Sequence, residues 1–340
     1  MKILLQWATG LGKTKAALDM CKQVFAANKK APYVLILVAE TTHIQNWLSE
    51  IKKWKVKTIM KRTTFSCYNS ISKHENKKYD IIILDECHHC FSEKRLDSFD
   101  KLIYDNIILL SATLTYDEIN TLKSKVRGLQ IDTKSLNTAI NQGKLKDPEL
   151  IIKDYHLKPV EKTQYISICK RYDWASNNRN EKLKRMFAIQ RKKLLANFKT
   201  PILKEVVESL RGEGTKFICY CASINQMIEV SDGINCVSSK QSKKTTQQTI
   251  DKFNNDEISE LFFCQMGVEG LNLSGIEVGV ICQCDANTRP FIQKIGRVLR
   301  NKVNPRIIIC RASILGSAIG TVPITKDEDW VKECINQIKY

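Results

Sequence analysis

One stretch, Trp7-Ala8-Thr9-Gly10-Leu11-Gly12-Lys13-Thr14, limits what this chain can fold into more than any other. Ile3, Leu4 and Leu5 before it predict a short buried strand, and residues 13–27 after it predict a helix. A strand, a glycine-bearing turn and a helix opening on Lys-Thr make a phosphate cradle. Backbone N–H groups from Thr9 to Gly12 point inward, the helix N-terminus adds positive potential, Lys13 reaches outer phosphates and the Thr14 hydroxyl can hold magnesium. Gly10 and Gly12 let the backbone come close to the phosphates. A full G-x-x-x-x-G-K-T spacing would put glycine where Trp7 stands. The alternative is an ordinary strand-to-helix turn, and residues further along decide between the two.

Downstream, short apolar runs at 33–38, 63–68, 81–84 and 107–110 alternate with helical stretches at 42–54, 94–104 and 116–126. That alternation is the mark of an α/β fold, an open parallel sheet with helices on both faces. Ligands of such sheets gather at the carboxyl ends of the strands. There the buried run Ile81-Ile82-Ile83-Leu84 passes straight into Asp85 and Glu86. Asp85 can hold magnesium through water, and Glu86 can orient or deprotonate an attacking water; a solvated acidic turn is the alternative. Ser111-Ala112-Thr113 follows the next apolar run and by itself is only a turn or a helix cap.

The net charge of +18 and pI near 9.3 point to a polyanionic partner, although lysine-rich faces are often merely solvated. No apolar run is long enough to span a bilayer and no signal-peptide pattern is present, so a soluble, unexported, cytoplasmic chain without a membrane partner is expected. Thirteen cysteines in such a chain argue for free thiols. Cys87-His88-His89-Cys90 lacks a second ligand pair at finger spacing and is not read as a zinc site.

A polar stretch at 132–154 marks the expected boundary, giving domains 1–135 and 136–340. After it come a strand at 150–157, a strongly basic helical segment at 163–198 whose cations face outward, and a helix at 201–210. A second sheet is expected from 216–221, 236–238, 260–264, 278–284 and 306–310, and a closing helix from 327–340. Asn287, Thr288 and Pro290 predict a helix start, so the segment from Phe291 places Gln293, Arg297 and Arg300 at i, i+4 and i+7. Phe291, Ile295, Val298 and Leu299 take the other side. Two guanidiniums without carboxylates at i±4 suit an anion arriving from elsewhere, such as a γ-phosphate; exposed surface arginines are the alternative.

Taken in order, these stretches resemble the superfamily 2 DExH helicases and translocases. Ala8 to Thr14 is similar to motif I, in a superfamily that does not require the first glycine, and Leu37-Val38-Ala39-Glu40 with Gln45 and Trp47 is similar to motif Ia. Asp85-Glu86-Cys87-His88 resembles the DExH box and Ser111-Ala112-Thr113 motif III. Phe217 to Ser223, Gly270-Leu271-Asn272-Leu273 and Gln293 to Arg300 resemble motifs IV, V and VI. Residues 136–165 and the Arg289-Pro290 lead into motif VI look most like the type III restriction subunit-like, DNA-repair and phage recombination branch.

The resemblance implies two tandem RecA-like domains, ATP and Mg2+ as cofactors, and a nucleic-acid partner, DNA rather than RNA. ATP would lie in the cleft between the domains, with Asp85, Glu86, Gln293, Arg297 and Arg300 catalytic and Thr14 and Asp85 on the metal. His88, Ser111, Thr113, Gly270 and Asn272 would couple hydrolysis to the track. Motif V of the superfamily has threonine where Gln265 stands, and an adenine-reading glutamine helix would precede motif I, where this sequence has only Met1 to Trp7. No accessory domain is evident, so a minimal motor working with a partner protein is expected. An ATP-gated clamp with little activity alone and an RNA helicase are the competing readings.

Overall fold

A computed structural model describes residues 1–264, 273–300, 304–314 and 325–339 of the chain. They form two compact units, Met1–Leu145 and Lys146–Tyr340. Gln265, Gly270, Leu271 and Asn272, which carry the motif V resemblance, lie outside the described residues.

The first unit begins β1 (Lys2–Trp7), α1 (Lys13–Asn28), β2 (Val34–Val38), α2 (Thr41–Lys53) and β3 (Thr63–Cys67). It continues through β4 (Lys78–Leu84), α3 (Glu93–Asp100), β5 (Ile103–Ser111), α4 (Tyr116–Lys125), β6 (Gln130–Lys134) and α5 (Leu136–Asn141). The six strands pair in parallel in the order β3-β2-β4-β5-β1-β6. Successive side chains of a strand point to opposite faces. Accordingly Leu4, Leu37, Leu84 and Leu109 pack with Phe99 of α3 and Leu122 of α4 on one side. Leu5, Ile36, Ile83 and Leu110 pack with Leu18 of α1 and Trp47 of α2 on the other. With both faces covered, the central strands are apolar throughout, which is why they are visible in the sequence.

Two elements of this unit differ from expectation. Helix α3 stops at Asp100 and its expected last residues open β5. The edge strand β6 carries Gln, Asp and Lys, is only half-buried, and has no apolar run to announce it. The unit also extends past 135, because Leu136 and Ala139 of α5 and then Leu145 are buried in it.

The second unit contains β7 (Glu149–His156), α6 (Pro159–Asn177), α7 (Glu181–Phe198), α8 (Thr200–Gly212), β8 (Phe217–Cys221) and α9 (Ile224–Ser231). β9 (Cys236–Val237), α10 (Lys243–Asn254), β10 (Glu260–Cys264), β11 (Val278–Ile281), α11 (Arg289–Val298), β12 (Arg306–Ser313) and α12 (Lys326–Lys339) complete it. Its sheet is also parallel, in the order β7-β12-β11-β8-β10-β9. Each unit thus has the RecA-like layering, a parallel sheet between two helical layers.

The basic segment 163–198 is not one helix. Asn178, Arg179 and Asn180 break it: Arg179 takes a left-handed φ of 52°, and the Asn180 side chain accepts from the Leu183 N–H at 3.0 Å, capping α7. Asparagine serves both purposes, as a turn residue and as a helix cap. Nor do all the cations of the segment face outward, since Arg191 is buried beside the Tyr172 ring, 4.5 Å from its centroid. No helix among the described residues is long and apolar enough to cross a membrane.

Candidate active site

In the first unit the strand register sets the site. Leu84 and Leu4 both stand level with Leu109, and Gln6 pairs with Ser111. The loops leaving β1, β2, β4 and β5 therefore emerge at one edge of the sheet, carrying residues 8–12, 39–40, 85–86 and 112–113. That edge gathers every site residue expected from the first unit.

The cradle turns through Gly10 at φ 96° and Gly12 at φ 81°, left-handed conformations that favour glycine. Gly12 is also the N-cap of α1; no side chain caps that helix and its first turn holds no carboxylate. Its leading N–H groups are therefore unclaimed by the protein's own acidic groups, which suits an incoming anion. The Thr9 hydroxyl is buried without a hydrogen-bond partner. The Lys13 ammonium donates to the Trp7 carbonyl at 2.9 Å, and the Lys134 ammonium lies 3.3 Å from the Trp7 ring centroid. Lys134 was beyond the reach of sequence reasoning, because it belongs to the unforeseen β6.

Asp85 is held from two directions. The Trp47 indole N–H donates to its Oδ2 at 2.8 Å, and the Tyr68 hydroxyl donates to its backbone carbonyl at 2.9 Å. Burial, then the adjacent Glu86 charge, raise the Asp85 carboxyl above its ordinary value, while the Trp47 hydrogen bond, His43 and Lys13 pull it back. Glu86 occupies a left-handed φ of 49°, a conformation that costs a non-glycine residue about 1–3 kcal/mol and concentrates at functional sites. Its Oε2 lies 3.5 Å from the His88 Nδ1. Cys87 and Cys90 point into the core, and among the described residues no three His, Cys, Asp or Glu side chains gather at metal-binding distances.

The Ser111 hydroxyl is fully buried and donates to the Thr113 carbonyl at 3.1 Å, while the Gln6 amide of β1 reaches the Leu114 carbonyl at 3.4 Å. The turn after β5 is thereby tied to the strand that carries the cradle. Backbone donors at a helix N-terminus, one ammonium, one hydroxyl and one hydrogen-bonded carboxylate form a donor set that fits a nucleoside triphosphate with magnesium. Thr14 and Asp85 would hold the metal, which keeps most of its shell as water and phosphate oxygen.

In the second unit, α11 is seated directly on β11. Gly279 makes this possible, since a Cβ there would stand 2.6 Å from the Val298 Cγ2. Gln293 and Arg297 are consequently 6% and 7% exposed rather than lying open on a surface face. Near Arg297 is Tyr220 of β8, whose hydroxyl is buried without a hydrogen-bond partner and whose phenol burial pushes up to about 12 against the pull of the arginine. Lys294 lies 5.2 Å from the Tyr220 ring centroid, and burial keeps its ammonium below the usual lysine value. Arg300 was expected on this helix, but α11 ends at Val298 and Arg300 is exposed in the turn beyond it. Gly270 and Asn272 lie outside the described residues.

Residues 1–116 match the family described as type III restriction enzyme, res subunit, and residues 185–302 match the helicase conserved C-terminal domain. No curated protein sequence matches the chain. Among solved structures, the helicase domain of Pyrococcus furiosus Hef is similar in fold, with a TM-score of 0.55 at 15% identity, covering 98% of this chain and 94% of that one. The two family segments stand in helicase order and take in the cradle, the acidic pair and α11. The chain is a superfamily 2 helicase or translocase of the type III restriction subunit-like branch.

Proposed function

We propose that this helicase is an ATP-driven motor on DNA, with ATP bound on the cradle of the first unit and its hydrolysis completed by groups of the second. The observation that carries this reading is the single sheet edge at which the cradle, Asp85, Glu86 and the Ser111–Thr113 turn emerge together. Residues 9–13 take the phosphates, with Thr14 and Asp85 as the magnesium ligands. Magnesium, when bound, neutralises phosphate charge. Glu86 accepts the proton of the water that attacks the γ-phosphorus, and Gln293, Arg297 and Arg300 stabilise the charge that develops on the transferred group. His88, Ser111 and Thr113, together with Gly270 and Asn272, pass the change to the nucleic acid. Loss of the γ-phosphate removes the bond between the two units, and the relaxation moves the strand. DNA is favoured by the branch to which the chain belongs, and an accessory protein would select the substrate.

The direct test is ATP turnover with single-stranded, duplex and forked DNA and with RNA, using Lys13→Ala to set the background. DNA is expected to stimulate turnover more than RNA does. Stimulation by RNA alone would replace the DNA reading, and nucleic-acid binding without turnover would reduce the chain to a clamp.

Trp47 gives a second prediction. Trp47→Phe keeps an aromatic ring in the 1% exposed Trp47 site but removes the donor to Asp85. Partners that orient a metal ligand are worth roughly 10- to 100-fold in metal affinity. The magnesium concentration giving half-maximal turnover should rise by that order, and thermal melting without magnesium measures separately the packing lost with the smaller ring. Superimposable magnesium curves would leave Trp47 with a packing role only.

A further inference from the structure

The hairpin of α6 and α7 has no part in the cycle above, and α6 lies in the stretch between the two matched segments, covered by neither family. Residues 159–199 carry eleven Lys and Arg against three Asp and Glu. Four of the cations are engaged: Lys184 with Glu181, Lys192 with Asp285, Lys199 with Asp327, and Arg191 with the Tyr172 ring. Glu161 is used up in capping α6, accepting from the Lys158 N–H and the Tyr155 hydroxyl. Of the other seven, Lys162 is half-buried, while Lys170, Arg171, Arg179, Lys182, Arg185 and Lys193 are exposed, and none of these six is in an ion pair among the described residues.

Exposed apolar groups lie among these cations. Trp174 is 56% exposed, one turn after Lys170 and Arg171 on α6. On α7, Lys182, Arg185, Met186, Ile189 and Lys193 are all exposed and recur every third or fourth residue, so they share one stripe. The short Asn178–Asn180 turn puts Trp174 and the start of α7 at the same end of the hairpin. A groove of about 530 Å³ runs along it, with Thr163, Gln164, Ser167, Arg171 and Gln190 among the polar groups of its lining. None of these polar groups is acidic. Like charges one turn apart weaken a helix by a few tenths of a kcal/mol per pair, a cost that a bound polyanion removes. An acidic peptide would answer the charge but leave the indole without a purpose. An unpaired base answers both, since it stacks on an aromatic ring while its phosphates meet the neighbouring cations, whereas a duplex hides its base faces.

We propose that the α6–α7 hairpin is a second nucleic-acid contact, which holds a single strand by stacking on Trp174 and by phosphate contacts from the six free cations. The proposal rests on the motor reading for its substrate class but uses none of the residues assigned to ATP hydrolysis.

The test measures binding of the whole chain to a fluorescein-labelled oligothymidylate across a salt series. Trp174→Ala should weaken binding roughly 5- to 150-fold, while Trp174→Phe should retain most of it. Changing Arg171, Arg179, Lys182 and Arg185 together to glutamine should flatten the plot of log affinity against log salt by about 0.7 for each phosphate no longer neutralised. ATP hydrolysis without nucleic acid should be unchanged in every variant, and so should thermal melting, because the altered side chains are exposed. Wild-type affinity and slope in these variants would overturn the proposal, as would a blunt duplex that depends on Trp174 as strongly as the single strand does. Failure of the motor reading is a different result, in which the wild-type chain itself shows no stimulation by nucleic acid.

Discussion

Glu86→Gln and Arg297→Ala are each expected to cut nucleic-acid-stimulated ATP hydrolysis by orders of magnitude while leaving nucleotide uptake in place. Glutamine keeps the size of the Glu86 side chain but cannot accept a proton, and a positioned general base is worth about 10²- to 10⁴-fold. The strained φ of 49° at Glu86 fixes where that carboxylate emerges from β4, so the loss falls on kcat rather than on binding. Arg297→Ala removes a guanidinium held by the packing of α11 on Gly279, and an arginine of this kind contributes about 10³- to 10⁵-fold. Arg297→Lys should recover only part of the rate, because an ammonium lacks the planar two-pronged geometry that matches a phosphoryl group. Arg300 is exposed, so Arg300→Ala tests the same chemistry with no core disturbed. Steady-state kcat at saturating nucleic acid, together with binding of a fluorescent ATP analogue, checks all four variants. Wild-type kcat in both Arg297→Ala and Arg300→Ala would mean that neither arginine takes part in the chemistry.

What the sequence made legible follows a physical rule. The cradle, the acidic pair and the turn after β5 each come directly after an apolar run, because a strand buried on both faces has no polar residue until it reaches the sheet edge where ligands bind. Chemistry placed at the end of such a strand is marked by the contrast between the two. The edge strand β6 offers no such contrast, and Lys134 on the Trp7 ring was hidden with it. Trp47 could be matched to motif Ia, but nothing in the sequence says that its indole meets Asp85 across 38 positions. Tyr68 and Gln6 are the same kind of case, side chains whose polar tips find partners set by sheet order.

The second half was harder to read because its helical pattern was ambiguous. Apolar and basic residues continue in helical register through 163–198, and the Asn-rich break at 178–180 is short enough to be read through. Amphipathicity indicates which residues can be buried, but not which cation will be. Arg191 went inward, where Tyr172 offers a π face, and the neighbouring cations stayed outside. In α11 the presumed presenting face proved to be enclosed, since the absence of a side chain at Gly279 lets the helix sink onto the sheet. Gln293 and Arg297 are thereby held within the packing of α11 instead of lying on an open face.

The largest stability effect is expected where two charges are fully enclosed. Lys199, at the start of α8, and Asp327, in the first turn of α12, are both 0% exposed and meet at 2.7 Å. Asp327 also accepts from the Ala312 N–H at 2.7 Å and from the Gln283 amide at 3.0 Å, and Lys199 donates to the Cys310 carbonyl at 3.1 Å. Burial is the largest influence and works against the charged form of Lys199, yet the Asp327 carboxylate together with Cys282 and Cys310 holds the ammonium above its ordinary value. Removing one partner of such a pair strands the other, at a cost of about 3–5 kcal/mol. Asp327→Ala should cost the upper end of that range, because it leaves a buried ammonium, an N–H and an amide all short of an acceptor. Lys199→Met should cost less, since Asp327 keeps two of its donors. The readout is hydrogen exchange along α12 and β12, where Asp327→Ala should lower protection by roughly two to four decades and unfold α12 first. Equal protection in the wild type and Asp327→Ala would show that α12 is anchored by its apolar face alone, through Val331, Cys334 and Ile338, all buried.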